Sequence, residues 1–136
     1  MRWLWLWTVV TMAIIGSIVM LPTEAPAAEF VVYSVYRELD LGNPGENPQR
    51  DYYVNMGTSQ GIRTGSKLEV YRRQSTFDLV NEKLYKDLTF PVARIKVIHA
   101  EENAAVARLE SILPASTAPA LSPRSVMVGD LVRPAR

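Results

Sequence analysis

The stretch of this chain best suited to cradling a phosphate is YYVNMGTSQGIRTGSKLEVYRR, Tyr52 to Arg73, where Gly57, Gly61 and Gly65 recur every four residues and Ser66 and Lys67 follow. A P-loop sets four residues between its first glycine and the Gly-Lys-Ser/Thr that holds phosphate and magnesium. GIRTGSK has three, and it reverses Lys and Ser. The spacing is not Gly-x-Gly-x-x-Gly either, and its right flank reads as a strand, so no helix N-terminus faces an anion. The segment therefore reads as a turn, in which Gly61 and Gly65 permit positive φ and Ile62 tucks into the core as the chain reverses.

His99, the only histidine, stands beside Glu101 and Glu102 in HAEENA. Zinc needs three or four converging ligands, and acid-base chemistry needs a nucleophile in reach; this corner offers neither and reads as a solvated turn. The chain has no cysteine, which excludes a disulfide framework, a thiolate metal site, a Cys nucleophile and a lipidated Cys. With no catalytic residues, no metal ligands and no cofactor site, the expectation is a protein that is not an enzyme.

The elements that carry these residues are short strands. FVVYSVYREL, Phe30 to Leu39, is β-branched and aromatic and too short for a helix. DLGNPGENPQR follows as a loop. Tyr52 to Met56 is predicted as a second strand and Lys67 to Arg73 as a third, with Leu68 and Val70 alternating against Lys67, Glu69 and Tyr71. In QSTFDLVNEKLYKDLTF, Phe77, Val80, Leu84 and Leu88 suit a helix face while Thr76, Phe77, Val80 and Tyr85 suit strands; we read a loop with strand character. PVARIKVI and AVARLESI alternate cleanly, with Ala93, Ile95 and Val97 on one face and Ala105, Ala107 and Leu109 on another, and form a hairpin about HAEENA. LPASTAPALSPRS reads as a mobile excursion without periodicity. VMVGDLVRP closes the domain as a last strand, with a tight turn at Gly129 and Asp130. The fold class expected is all-β, a small β-barrel of short antiparallel strands.

The chain opens MRWLWLWTVVTMAIIGSIVMLPTEAPAAEF, one positive charge followed by an apolar run and a small-x-small exit at Ala25-Pro26-Ala27. Residues 1–28 read as a signal peptide cleaved after Ala27 or Ala28, or, if uncleaved, as an inner-membrane anchor, since Trp3 to Leu21 approaches a bilayer's span and Trp3, Trp5 and Trp7 suit an interface. Residues 29–136 form one small domain, periplasmic or extracytoplasmic, that meets a membrane only through the N-terminal segment. Fifteen basic and fourteen acidic side chains nearly balance. No domain-wide field points to nucleic acid, so any charged partner is recognised locally.

VNMGTSQGIRTGSKLEVYR resembles the strand, glycine turn and strand of the C-terminal domain of the bacterial flagellar assembly protein T family, a small β-barrel. VARIKVIHAEENAAVARL is similar to that domain's next hairpin and VMVGDLVRP to its closing strand, so the resemblance spans residues 49–134. It implies Gly57, Gly61, Ile62, Gly65 and the Val128-Gly129-Asp130 turn as fold markers. The family's full protein carries further domains ahead of the barrel, whereas here an export segment and one strand with a long loop precede the matching stretch. The resemblance therefore implies an envelope compartment and a scaffolding role, with the flagellum as one setting, and it brings no catalytic residues.

The third strand supplies the best candidate interaction face: Lys67, Glu69, Tyr71 and Arg73, with Arg72 beside them, because Tyr and Arg anchor interfaces. The ordinary reading of the same residues is a solvated strand face. Two functions follow. The first is an exported envelope module that assembles or scaffolds through a protein partner; the second is a module binding peptidoglycan or another envelope polysaccharide through Tyr52, Tyr53 and Tyr71.

Overall fold

The computed structural model describes residues 28–121 and 123–136; the expected export segment lies, but for Ala28, outside the described residues. Strands β1 (Val32–Arg37), β2 (Arg50–Val54), β3 (Lys67–Asp78), β4 (Lys83–Ala100), β5 (Ala105–Ile112) and β6 (Leu131–Pro134) follow in chain order, with one short 3₁₀ turn at Thr58–Gln60. They build one antiparallel sheet in the order β1-β2-β5-β4-β3-β6. The fold is all-β, and among the described residues no helix is long and apolar enough to cross a membrane.

The sheet is not closed into the barrel expected from the strand pattern. Its edge strands meet at a bridge between Val31 and Leu131, reinforced by Val32 N–H donating to Asp130 O at 2.9 Å and Gly129 N–H to Val32 O at 2.8 Å. Brevity prevents a ladder: β6 has four residues, and the pairing of β1 with β2 slips between Val32 and Ser34.

One face of each strand builds the core. Val32, Tyr52, Val54, Leu68, Val70, Ile95, Val97, Ala107 and Val132 are buried together, and their alternation with exposed neighbours is the period of two that a half-buried strand imposes. Ala93, Ile95 and Val97 face the core as expected. Leu109 does not continue the buried face of Ala105 and Ala107; it is exposed near the strand's end, where Glu110 bulges between the pairs Ile95–Leu109 and Arg94–Ser111. The segment read as a mobile excursion contributes Leu121, and Val126 just after it is buried too. Both reach back to cover the core even though the segment lacks periodicity.

Ile62 is buried in the turn after β2, as expected. Gly61 and Gly65 take φ of 78° and 91° with open space where a side chain would begin, so these positions demand a left-handed backbone, not room. Gly129 does the same beside Asp130. Gly61→Val and Gly65→Val are each expected to destabilise the domain by more than about 1 kcal/mol, because a β-branched residue resists positive φ. Urea unfolding of the domain checks this, and wild-type midpoints in both variants would remove the turn assignment.

Candidate functional site

Alternation along β3 turns Lys67, Glu69, Tyr71 and Arg73 away from the core, and the register lays Arg94 of β4 and Arg133 of β6 on either side of Glu69. These groups satisfy one another. The Tyr71 hydroxyl donates to Glu69 Oε2 at 2.7 Å, Arg94 Nη2 donates to Glu69 Oε1 at 3.1 Å, and the Arg133 guanidinium lies 5.0 Å from the centre of the Tyr71 ring. Lys67 Nζ pairs with Glu110 Oε1 at 2.8 Å. The hydrogen bond from Tyr71, and then that from Arg94, lowers the Glu69 pKa, and the same bond to Glu69 raises that of Tyr71. The hydrogen bond from Lys67 lowers the pKa of Glu110. Tyr71 is half-buried in this network, so it is not the open aromatic anchor that the alternation alone suggests.

Arg73 lies further along the same face, bonded to Glu29 and 3.4 Å from Asp87. It ties the chain's entry into the domain to the long β3–β4 hairpin.

Arg72 was expected beside this face, but it turns inward. Its Nε donates to Asp130 Oδ1 at 2.9 Å and its Nη2 to Asp130 Oδ2 at 2.8 Å, while the same guanidinium donates to the carbonyls of Ser125 and Pro123. Asp130 also accepts the N–H of Met127 at 2.8 Å. The side chains are only 13% and 5% exposed, a bidentate pair in the geometry that favours arginine over lysine. Asp130 is thus more than a turn residue: it fastens the loop before β6 to β3. The hydrogen bonds to Asp130 raise the already high pKa of Arg72.

Other chemically suggestive residues are held in structural roles. Ser66 Oγ accepts the Arg63 N–H at 3.0 Å, closing the turn that resembled a phosphate loop. His99 Nε2 lies 2.6 Å from Glu101 Oε1, with both side chains exposed. Among the described residues, no group of three or more His, Cys, Asp or Glu is placed to hold a metal. Tyr52, expected as a glycan-binding aromatic, is 2% exposed and belongs to the core. Tyr53 faces outward, its ring 6.2 Å from that of Tyr33.

The β3–β4 hairpin is the feature that sequence reasoning missed. The stretch read as a loop with strand character is a continuous pair, running out to Asp78 and Lys83. Pairing to β6 covers only Leu68–Tyr71 and pairing to β5 begins at Ala93, so Arg72–Asp78 and Lys83–Pro91 stand out as a two-stranded arm. A bulge places Asp87 at a φ of 59°, and Asp78 caps the tip by accepting the N–H groups of Val80 and Asn81. Leu79 and Val80 at the tip are 84% and 89% exposed, with Phe77, Leu84 and Tyr85 exposed below them. The signal for the arm was the strand-forming set Thr76, Phe77, Val80 and Tyr85, masked by the competing helical spacing of Phe77, Val80, Leu84 and Leu88.

Compared with known protein families and with curated proteins, the chain matches none.

Proposed function

We propose that this is an exported, non-enzymatic module of the cell envelope that works through protein contacts in assembly or scaffolding, with the β3–β4 arm as its main contact. The observation that carries the reading is the arm's apolar tip. A two-stranded ribbon is marginal on its own in water, and a cluster of exposed large apolar side chains on one projection marks a surface that another protein covers. On the side of β3 away from β4, strand pairing among the described residues stops at Tyr71, so the arm's backbone edge beyond it also offers pairing to a partner's strand. Tyr71 and Arg73, held by their own partners, stand at the arm's root. The resemblance to the flagellar assembly protein T domain makes the flagellum one setting for such a partner. We also read the curled sheet as an incompletely closed relative of the small barrels, on the strength of the Val31–Leu131 bridge.

A photo-crosslinking residue in place of Val80 tests the arm. In intact cells it should give a discrete adduct with an envelope protein, whereas the same residue in place of Glu46, on the exposed loop before β2, should not. Leu79→Asp with Tyr85→Ala should abolish the adduct from position 80 while keeping the wild-type unfolding midpoint, because exposed substitutions typically shift stability by about 0.5 kcal/mol or less. Equal labelling from positions 80 and 46, or an adduct untouched by the double change, would place the contact elsewhere. Adducts with glycan alone would favour the polysaccharide-binding reading.

A further inference from the structure

The register of the sheet lines up three cations across its outer face. Lys67 on β3 lies directly opposite Lys96 on β4, and Lys96 directly opposite Arg108 on β5. Like charges facing each other across strands oppose pairing. Carboxylates relieve the two ends: Glu110 holds Lys67 at 2.8 Å and Asp51 holds Arg108 at 2.7 Å. Lys96 at the centre forms no ion pair among the described residues. Arg94 lies two residues along β4 on the same face, bonded to Glu69. The face thus carries Lys67, Lys96, Arg94 and Arg108 against Glu110, Glu69 and Asp51, and Lys96 is the cation of the row without a paired carboxylate among the described residues, an arrangement that a further anion at Lys96 would relieve. Local conflicts of this kind are where functional sites are found.

We propose that the Lys67–Lys96–Arg108 row binds a linear polysaccharide bearing carboxylate groups, lying across the strands. The row already takes carboxylates as counter-ions, so a sugar carboxylate meets Lys96 in the chemistry that Glu110 and Asp51 supply at its ends. Strands β3, β4 and β5 are flanked on both sides at these positions, leaving no free backbone edge by which a peptide could pair. Adjacent strands are about 4.8 Å apart, so the row spans about 10 Å. Asp51, Glu69 and Glu110 on the same face repel a densely charged phosphate backbone or lipid surface but tolerate a polymer with one carboxylate every sugar or two. Tyr53 and Tyr33 stand on the neighbouring strands of this face and offer rings to sugar C–H groups. This surface is separate from the apolar arm and does not depend on what the arm contacts.

Polygalacturonate is the probe, with neutral dextran as its control, against the purified domain. The domain should be retained on polygalacturonate and not on dextran, with retention falling as salt rises through counter-ion release. Lys96→Gln should weaken binding at least threefold and Lys96→Glu at least tenfold, whereas Lys83→Glu on the arm should leave it unchanged. Glu110→Gln should strengthen binding at least twofold by freeing Lys67, a gain that disruption of the fold cannot produce. Equal retention on dextran, equal losses from Lys96→Glu and Lys83→Glu, or weakened binding in Glu110→Gln would overturn the site. Tighter binding to single-stranded DNA or to phosphatidylglycerol vesicles than to polygalacturonate would overturn the polysaccharide assignment.

Discussion

Asp130→Ala is expected to lower the stability of the domain by about 3–5 kcal/mol, the cost of removing one partner from a buried ion pair and leaving the other uncompensated. Arg72 would keep its bonds to Ser125 and Pro123 but lose both bonds to carboxylate, and the N–H of Met127 would lose its acceptor. Urea unfolding followed by circular dichroism measures the loss. Because the pair is largely shielded from solvent, salt screens it weakly, so the loss should persist at 1 M salt. Arg72→Met should cost a comparable amount, and the double change should cost less than the two losses added, by about 0.5–3 kcal/mol, as for residues in one network. A midpoint for Asp130→Ala within about 0.5 kcal/mol of wild type, the range of an ordinary surface change, would show that the loop before β6 is not fastened by this pair.

That pair also shows where sequence reading ends. Arg72 and Asp130 are 58 residues apart, and alternation along β3 says only which face each residue takes, not which distant carboxylate waits on that side. Tyr71 and Glu69 were recognisable as a pair on one face, but Arg133 and Arg94, which complete the network, arrive from two other strands. The β4–β5 hairpin was legible because one face is buried and the other wet, so Ala93, Ile95 and Val97 contrast with Arg94 and Lys96. The β3–β4 arm was obscure for the opposite reason. Both its faces are wet, so Phe77, Val80 and Leu84 follow no burial period, and their spacing matched a helix equally well. Closure of the sheet turns on details such as the four-residue length of β6 and the slip in the pairing of β1, which strand alternation does not encode. The basic row needed the register itself, because Lys67, Lys96 and Arg108 are spread over three strands and no local motif joins them.

Gly57→Ala is expected to be as damaging as loss of the buried pair, for a reason unlike that at the neighbouring glycines. Gly57 has a φ of −146°, an extended backbone open to any residue, so conformational strain is not its role. A methyl group there would lie 2.2 Å from the carbonyl oxygen of Glu101, 2.8 Å from that of Glu102 and 2.8 Å from the Ala104 nitrogen. All three are backbone atoms in the turn of the β4–β5 hairpin, and none can swing aside as a side chain would. The turn after β2 is pressed against that hairpin by Thr58 N–H donating to Glu101 O at 2.8 Å and Ser59 N–H to Glu102 O at 3.0 Å. Parting the two segments by enough to admit a methyl group breaks both bonds. Forcing extra volume into a packed contact costs about 1–3 kcal/mol, and each lost bond about 1 kcal/mol more. The expected loss is therefore about 3–5 kcal/mol, against about 1 kcal/mol for Gly61→Ala, where only positive φ resists. Asn in place of Gly61 should recover part of that smaller loss, since Asn tolerates the left-handed region, whereas no side chain at position 57 should recover any. Amide exchange gives the local readout: the Thr58 and Ser59 amides, protected in the wild type, should exchange freely in Gly57→Ala. A variant that unfolds at the wild-type midpoint with both amides still protected would show that this turn and hairpin do not touch as described.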